Sequence, residues 1–420
     1  MSKKWLLAFA TPAVILLVGI LTIGGRGGYW RLNALLSWLD GPLASMGIVL
    51  AGVSIAYSTI KKRYDRTLLV AVVVLAVTSV APFKARAGST PVPAAPVQVA
   101  RNLIMVTFDG VRADVFWSSN VTTARWLSEN GVSAEIFYTV FPTVTYPTHT
   151  SLFTGATPEV HGVQENEGDA MRIACMRLET IMQLLKSQGF RIGVTGGYFL
   201  RNTVIGVGGD MVEVGMLSPD KAADHAIAFI ERYRDERFFL AVHMAESDSM
   251  GHLYGDSSLQ YRAAIEFQDR QLGRIVDELR QLGILNETLI LLTSDHGMMG
   301  NKHHNVIPLC DVLCVPLVMY GPGLKKGFKL ESATIIDLAP TACYLLGFNP
   351  PRNSEGLILF PALDPALQGE DAIASSWNET YSYGVSLIRI RVVFKVLKCY
   401  LAVMTVALAL IIISRARRKQ

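Results

Sequence analysis

The sequence predicts an α/β fold, in which a mostly parallel sheet is sandwiched by helices, together with about four transmembrane helices. Continuous apolar runs of strand length predict parallel strands covered on both faces. Amphipathic stretches between these runs predict the helices of a repeated strand-helix arrangement. Longer apolar runs near both ends of the chain predict the membrane spans. The strand-length runs are NLIMVTF, RIGVTG, FFLAVHMA, TLILLT and VPLVMYG.

The clearest helix of the domain is predicted over Tyr261–Leu282, between two of these strands. Its apolar residues recur at helical spacing, and Gly283 is a typical helix stop. The predicted domain covers residues 102–390, which is long enough to bury a sizeable core.

Four apolar runs lie outside this domain, each near the ~17–25 residues that cross a bilayer. Three fall within residues 1–83, and the last belongs to residues 391–420, which end in a basic tail. The first run is long for a cleaved signal peptide and lacks an Ala-x-Ala-like exit, so we favour a retained anchor over a signal peptide. The runs are Trp5–Ile23, Leu43–Ile60, Thr67–Phe83 and Cys399–Ile413.

Positive charges orient the predicted membrane protein. Lys3 and Lys4, the segment KKRYDR and the tail RARRKQ all fall on one side of a four-pass arrangement, which the positive-inside rule makes cytoplasmic. The chain is therefore predicted to be a multi-pass integral membrane protein whose domain is extracellular or lumenal. Residues 84–101, rich in Pro and Ala, are predicted to be a semi-rigid linker. Since the net charge of +4 comes mostly from these flanks, no nucleic-acid partner is expected.

Glycosylation and cysteine chemistry are consistent with that topology. The N-x-S/T sequons at Asn120, Asn286 and Asn378 all lie in the outward segment, which predicts a glycoprotein. Four cysteines outside the last apolar run can pair in an oxidising compartment, but their spacing selects no connectivity. They are Cys175, Cys310, Cys314 and Cys343.

Three acidic residues follow three of the predicted strands. Asp109 comes directly after the first, Asp248 and His252 follow FFLAVHMA, and Asp295-His296 follows TLILLT. Ligands of open α/β sheets gather at the carboxyl ends of the strands. An aspartate in such a position commonly caps a helix, but three in one domain, two of them accompanied by histidine, are better explained as metal ligands.

The chemistry of these residues suits a pair of divalent cations. Carboxylate and imidazole groups are typical zinc ligands, and manganese is the alternative. Two such ions can clamp the attacking and leaving oxygens of a phosphoryl displacement. The segment FPTVTYPTHTSLFTG is rich in hydroxyl groups, and metal coordination can turn a weakly nucleophilic alcohol such as Thr145 into a nucleophile.

Taken together, five motifs resemble the alkaline phosphatase superfamily and, within it, the type I phosphodiesterase/nucleotide pyrophosphatase family. The resemblance covers most of residues 100–350. The motifs, in chain order, are VTFDGVRAD, FPTVTYPTHTSLFTGATPEVHGV, ESDSMGHLYG, TSDHGM and TIIDLAPTACYLLG.

The resemblance implies a nucleophile and two metal sites. Thr145 would be the nucleophile, and Thr148 stands where the family has an asparagine that holds a phosphate oxygen. Tyr146 and Tyr254 are candidates for stacking on the substrate. One ion would be held by Asp109, Thr145, Asp295 and His296, and the other by Asp248, His252 and a third histidine.

The third histidine is open. The family places it in a late Thr-His-Gly motif, where this chain has Glu355. The GPI ethanolamine-phosphate transferases, which the chain resembles in DGVRAD, instead carry a histidine soon after SDHGM. That branch implies His304, with His303 as the alternative.

Three functions follow from these observations. The first is a metal-dependent hydrolase of phosphodiester or pyrophosphate bonds that works through a phosphothreonine and acts on a nucleotide or lipid-linked substrate. The second is a membrane phosphoethanolamine-type transferase acting on a lipid-linked glycan. The third, an inactive membrane scaffold, is disfavoured because the acidic residues and Thr145 are all present.

Overall fold

The computed structural model describes residues 96–303 and 310–367, which form one α/β unit around an eight-stranded sheet. The strand order is β4-β3-β5-β1-β6-β7-β2-β8. The strands are β1 Asn102–Phe108, β2 Val132–Tyr138, β3 Arg191–Gly196, β4 Met211–Val214, β5 Phe238–Met244, β6 Thr288–Ser294, β7 Leu317–Tyr320 and β8 Phe328–Thr334.

Helices connect the strands and cover both faces of the sheet. They are α1 Ala113–Ser118, α2 Thr122–Glu129, α3 Thr145–Thr154, α4 Pro158–His161, α5 Ala170–Arg177, α6 Ile181–Ser187, α7 Leu200–Thr203, α8 Pro219–Tyr233, α9 Glu246–Tyr254, α10 Leu259–Gln281, α11 Cys310–Leu313 and α12 Leu338–Leu345. Short 3₁₀ turns lie at Leu285–Glu287, Ile335–Asp337, Phe360–Ala362 and Pro365–Leu367.

The alternation of β1 side chains divides the core into two layers. Leu103 and Met105 pack on one face with α3, α5, α6 and α12, whereas Ile104 and Val106 pack on the other with α1, α2, α8 and α10. Successive strand residues point to opposite faces, so a strand that is apolar throughout supplies both layers. This confirms the prediction of a sheet sandwiched by helices.

The direction of β7 departs from the prediction. VPLVMYG was expected to form a parallel strand, but β7 runs antiparallel to both β6 and β2. The reason is the connection after β6, which is not a crossover: Gly297 N–H donates to the Val312 carbonyl, so the chain returns to the same edge of the sheet before β7 begins. Three strands, β2, β4 and β8, were not predicted, because their residues are only partly apolar.

The predicted long helix is α10, which begins at Leu259 and ends at Gln281. Ser258 caps it by accepting a hydrogen bond from the Tyr261 N–H, and Gly283 adopts a positive φ of 74° just beyond its end. The prediction of Tyr261–Leu282 is therefore confirmed to within two residues at either end.

The predicted membrane segments lie outside the described residues, as does most of the linker. Among the residues that the structure describes, no helix is both long and apolar enough to span a bilayer. The last linker residues pack on the domain, where Val97 and Val99 donate backbone hydrogen bonds to the Tyr344 and Leu345 carbonyls. That part of the segment is therefore not a free spacer.

Among the four cysteines that the structure describes, one pair is joined. A disulfide links Cys310 and Cys314, at the start of α11 and just beyond its end, while Cys175 and Cys343 are buried free thiols. Asn120 and Asn286 are exposed, whereas Asn378 lies outside the described residues. Their glycosylation stays a prediction.

Candidate metal centre

The three predicted carboxylates meet because their strands are neighbours in the sheet. β1 lies between β5 and β6, and Phe108 at its end is paired with Met244 of β5 and Ser294 of β6. Asp109 and Asp295 therefore leave the sheet side by side. Asp248 follows in the first turn of α9, at the same edge.

Gly110 permits the close approach of the loop after β1 to α9. Its φ is 69°, and a Cβ at this position would lie 2.8 Å from Asp248 Oδ1 and 3.1 Å from Asp248 Cα. A larger residue would be strained and would push Asp248 away. A glycine directly after Asp109 is thus needed for the loop after β1 to lie this close to Asp248.

The first group of ligands consists of Asp109, Asp295 and His296, and all three are buried. His296 Nε2 lies 3.4 Å from both Asp109 Oδ1 and Asp295 Oδ2. The other Asp295 oxygen, Oδ1, accepts hydrogen bonds from the N–H groups of Gly110 and His296. One oxygen of Asp295 is therefore held by backbone while the other faces the group.

The second group consists of Asp248, His252 and His303. Asp248 and His252 are four residues apart on α9 and so share one face of the helix. His252 Nε2 lies 3.4 Å from Asp248 Oδ1, and His303 Nε2 lies 3.7 Å from the same oxygen. In each group the ligand atoms lie within 4.8 Å of one another.

Hydrogen bonds orient the two histidine rings of the second group so that their Nε2 lone pairs face a common point. Nδ1–H of His252 donates to the Asn301 carbonyl, and Nδ1–H of His303 donates to the Thr143 carbonyl. In the neutral rings this leaves unprotonated Nε2 atoms facing each other at 3.1 Å, beside the Asp248 carboxylate. Three electron-rich atoms held this close suit a bound cation.

Buried oxygen atoms support the same interpretation in both groups. Asp109 Oδ1, Asp248 Oδ1 and Asp295 Oδ2 are buried and find no hydrogen-bond donor among the residues that the structure describes. Buried carboxylate oxygens without a donor are costly unless a cation takes them. The residues present therefore fit two divalent ions. The two groups adjoin, since the His296 and His303 rings stack with centroids 3.8 Å apart.

The pKa values of Asp109, Asp248 and Asp295 are all raised where these three carboxylates lie close together. Burial, reinforced by the charges of Asp295 and Asp248, raises the pKa of Asp109 well above its ordinary value. Burial also raises the pKa of Asp295, and it raises the pKa of Asp248 to about 7, with His252 acting in the opposite direction. Without a cation, the cluster holds protons that free aspartates would release.

We expect the metal-free chain to lose stability as pH rises from about 6.5 to about 8. Below this range, buried His149, His161 and His243 act in the opposite direction, because burial lowers their pKa. In this range the folded state holds protons on Asp109, Asp248 and Asp295 that the unfolded state has already released, so raising the pH through the folded pKa favours unfolding. The midpoint of thermal unfolding of chelator-treated chain, measured by tryptophan fluorescence, checks this. Adding Zn²⁺ should restore the midpoint at neutral pH. Asp248→Asn should flatten the slope, and a wild-type midpoint that rises across the range would contradict the expectation.

Thr145 lies at the N-terminus of α3, in a segment tied to both groups of ligands. The Thr143 hydroxyl donates to the His303 carbonyl, while the Thr143 carbonyl accepts from His303, so this end of the segment is tied to the second group. The Thr145 carbonyl accepts from Nδ1–H of His149, which lies 3.7 Å from Asp295 Oδ2 of the first group. A helix N-terminus also carries partial positive charge, which favours an approaching anion.

Thr148 does not face the site in the way that the resemblance led us to expect. It is fully buried, and its hydroxyl donates to the carbonyl of Val144, the residue just before α3. A carboxamide lies elsewhere beside the nucleophile segment, because Asn166 Oδ1 accepts a 2.7 Å hydrogen bond from the Tyr146 N–H. Asn166 was not predicted, because it lies 20 residues after Tyr146 and carries no motif of its own.

The remaining predicted residues have different surroundings. Tyr254 ends α9 and is 56% exposed, so its ring is open to a ligand. Tyr146 is half-buried, with its ring 5.9 Å from that of Phe199. Glu355 accepts hydrogen bonds from the Thr157 backbone and hydroxyl and belongs to neither group of ligands. His304 lies outside the described residues, and His303 is the histidine found with Asp248 and His252.

Two buried histidines near the first group were given no role from the sequence. His149 Nε2 lies 3.1 Å from the Thr107 hydroxyl, and His243 Nε2 lies 3.0 Å from Asp109 Oδ2. His149 could have been noticed because it lies one helical turn after Thr145. His243 could not, since its proximity to Asp109 depends on the pairing of β5 with β1.

Comparison with known families identifies the family to which the chain belongs. The family model described as type I phosphodiesterase / nucleotide pyrophosphatase matches residues 103–168 and 210–353, which together make up half of the chain. The matched segments contain both groups of ligands and Thr145. The chain belongs to the type I phosphodiesterase/nucleotide pyrophosphatase family.

Curated relatives within this family are similar over part of their length. The bis(5'-adenosyl)-triphosphatase enpp4 of Xenopus laevis is 27% identical over 261 residues, which cover 58% of this chain and 54% of the Xenopus protein. Ectonucleotide pyrophosphatase/phosphodiesterase family member 1 of Homo sapiens is 29% identical over 245 residues, covering 53% of this chain and 26% of the human protein. This phosphodiesterase-family chain thus spans about half of the first relative and a quarter of the second.

Solved structures share the fold of the family member described here. Human ectonucleotide pyrophosphatase/phosphodiesterase 5 aligns with a TM-score of 0.52 at 18% identity, covering 59% of this chain and 96% of that protein. An alkaline phosphatase superfamily protein from Vibrio parahaemolyticus aligns with a TM-score of 0.51 at 20% identity, covering 64% and 72%. The prediction of an alkaline-phosphatase-like α/β domain is confirmed.

Proposed function

We propose that the chain is a metal-dependent hydrolase that cleaves phosphodiester or pyrophosphate bonds through a phosphorylated Thr145. The observation that carries the proposal is the convergence of two three-residue ligand groups beside the helix that begins at Thr145, in a member of this family. Zn²⁺ is the first candidate for both ions and Mn²⁺ the second, because Asp and His ligands accept either.

The division of ligands follows from the two groups. Asp109, Asp295 and His296 would hold one ion, with the Thr145 hydroxyl as a further ligand, and Asp248, His252 and His303 would hold the other. When bound, the two ions would lower the pKa of the Thr145 hydroxyl and neutralise charge on the phosphoryl oxygens.

The residues of the chain then account for the two half-reactions. The Thr145 oxygen forms a bond to phosphorus as the bond to the leaving oxygen breaks, and the Thr145 proton reaches the leaving oxygen through solvent. Water next attacks the phosphothreonine, which restores the hydroxyl and releases a phosphomonoester. Asn166 accepts from the Tyr146 N–H through Oδ1, so its amide NH₂ can donate to a phosphoryl oxygen.

The substrate is proposed to be a nucleotide phosphodiester or pyrophosphate. Two features support this choice: the names of the relatives refer to adenosyl triphosphate and nucleotide substrates, and Tyr254 offers an exposed ring at the end of the helix that carries Asp248 and His252. An exposed aromatic ring can stack on a nucleobase.

Transfer of a phosphoethanolamine group to a lipid-linked glycan is the second candidate. It is favoured by the position of His303, which joins the second group from the loop just after Asp295-His296. The first half-reaction would be the same, and only the acceptor would differ.

We also propose that the chain is a multi-pass membrane protein with this domain in an extracellular or lumenal compartment. The apolar runs at both ends and the placement of basic residues support the anchor. The Cys310–Cys314 disulfide supports an oxidising compartment.

A substrate panel tests the proposed hydrolysis. We expect the purified chain with Zn²⁺ or Mn²⁺ to release nitrophenol from bis-(p-nitrophenyl) phosphate, and we expect a chelator to abolish this release. Restoring either ion should restore the activity. If neither ion supports release, the hydrolase proposal fails. Label moving from phosphatidylethanolamine to a glycolipid acceptor, without diester hydrolysis, would instead favour the transferase.

A further inference from the structure

We propose that His243 is a positioning residue that holds Asp109 so that only one of its carboxylate oxygens is offered to a metal ion. This inference rests on the proposed metal-dependent function and concerns a buried residue that contacts the ligand Asp109. It is drawn from the contacts around the His243 ring.

The side chains of His243 and Asp109 are in direct contact. His243 lies on β5 opposite Thr107 of β1, two residues before Asp109, and both His243 and Asp109 are buried. His243 Nε2 lies 3.0 Å from Asp109 Oδ2. This is the distance of a hydrogen bond between an imidazole N–H and a carboxylate.

A backbone donor fixes the tautomer of the His243 ring. Gly197 N–H donates to His243 Nδ1 at 3.3 Å, so Nδ1 is the acceptor and Nε2 carries the hydrogen that is donated to Asp109. The glycines before α7 make this approach possible. A Cβ on Gly197 would lie 3.1 Å from His243 Nδ1, and a Cβ on Gly196 would lie 2.2 Å from the His243 carbonyl oxygen.

Two neighbouring rings hold the His243 ring in place. The Phe199 ring lies edge-on to His243 with centroids 4.8 Å apart, and the His149 ring lies 5.3 Å away. The His149 ring is itself fixed by the Thr107 hydroxyl and the Thr145 carbonyl. A ring that is buried and enclosed in this way cannot rotate without displacing its neighbours.

The consequence concerns the two oxygens of Asp109. His243 contacts Oδ2. Oδ1 has no hydrogen-bond donor within the described part of the chain and lies 3.4 Å from His296 Nε2, within the first ligand group. A hydrogen-bond donor to the second oxygen of a ligating carboxylate orients that carboxylate and strengthens metal binding. His243 therefore selects Oδ1 as the ligand atom of Asp109.

Three substitutions in the 420-residue chain test this role by metal affinity. His243→Gln places an amide nitrogen near the position of Nε2, His243→Asn reaches only the position of Nδ1, and His243→Leu has no donor. Zn²⁺ affinity of the metal-free proteins is measured by competition with a chromophoric chelator, below the thermal midpoint of each variant. We expect Asn and Leu to weaken one of the two sites by about 10- to 100-fold, and Gln to stay within about threefold of wild type.

A matched control uses another buried histidine. His161 lies in α4, and Ser151 Oγ and the Val163 N–H are its hydrogen-bond partners, away from both ligand groups. His161→Asn should leave both Zn²⁺ affinities unchanged. This separates loss of the Asp109 contact from general loss of a buried imidazole.

The outcomes distinguish this inference from the proposed function. Wild-type affinity at both sites in His243→Asn and His243→Leu would overturn it, as would equal weakening in His243→Gln. If the wild-type chain binds two ions but hydrolyses no diester, the proposed hydrolysis fails while the affinities still decide the role of His243. A wild-type chain that binds no ion would overturn both.

Discussion

Thr145→Ala is expected to lower nitrophenol release from bis-(p-nitrophenyl) phosphate by about 10³-fold or more, the scale for loss of a covalent nucleophile. The substitution removes the hydroxyl oxygen that would bond to phosphorus but leaves Asp109, Asp295 and His296 in place. Metal content, measured by elemental analysis, should therefore stay near that of the wild type. Loss of rate with retained metal identifies a nucleophile rather than a structural residue.

The same helix offers a control for this experiment. Thr150 is buried in α3, and its hydroxyl donates to the Tyr146 carbonyl, so Thr150→Ala removes a comparable group without touching either ligand group. We expect it to keep the rate within about tenfold of wild type, since a lost helix hydrogen bond of this kind acts mainly on stability. A fully active Thr145→Ala protein would show that another group attacks phosphorus.

The second large effect is expected for His303→Ala, which should remove one of two bound ions. Without His303, the second group keeps only Asp248 and His252, and two protein ligands rarely hold zinc. We expect affinity at this site to fall by more than about 100-fold, the upper end of the effect of an outer-shell partner. Diesterase activity should fall with metal content, and both are measured on the same preparation.

Neighbouring residues provide the comparison. His304→Ala changes the adjacent histidine, and Glu355→Ala changes the residue that stands where the family has its late histidine. Glu355 accepts hydrogen bonds from Thr157, so its loss should affect local stability and not metal content. If His304→Ala or Glu355→Ala loses an ion while His303→Ala retains two, the assignment of the third ligand is wrong.

Much of the fold was predictable because buried parallel strands are apolar along their whole length. The central strands β1, β5 and β6 are continuous apolar runs, and their residues are buried throughout. β2 and β8 each contain both buried and exposed residues, and β4 is short and only partly buried. None of the three is apolar throughout. The reversed direction of β7 depends on where the loop after β6 ends, which no local pattern records.

The residues of the site also fall into two classes, those that could be recognised in the sequence and those that could not. Asp109, Asp248 and Asp295 could be recognised because each follows a strand or stands near a strand end, and carboxyl ends of parallel strands share one edge of a sheet. His252 and His296 were recognisable as companions of two of these acids. Asn166 and His243 were not, since their contacts join them to residues 20 and 134 positions away, which no local motif records.

Local order along the chain was enough to establish the strand-helix alternation, the acidic residues at strand ends and the threonine at the start of α3. These features depend on side-chain chemistry and short-range periodicity, which are written in consecutive residues. The tertiary structure alone decided that His303 is the histidine found with Asp248 and His252, that His243 lies behind Asp109, and that Thr148 is buried inside its helix. The contacts of His303 and His243 depend on strand order and loop packing, because they join residues far apart along the chain. The burial of Thr148 depends on what packs around α3.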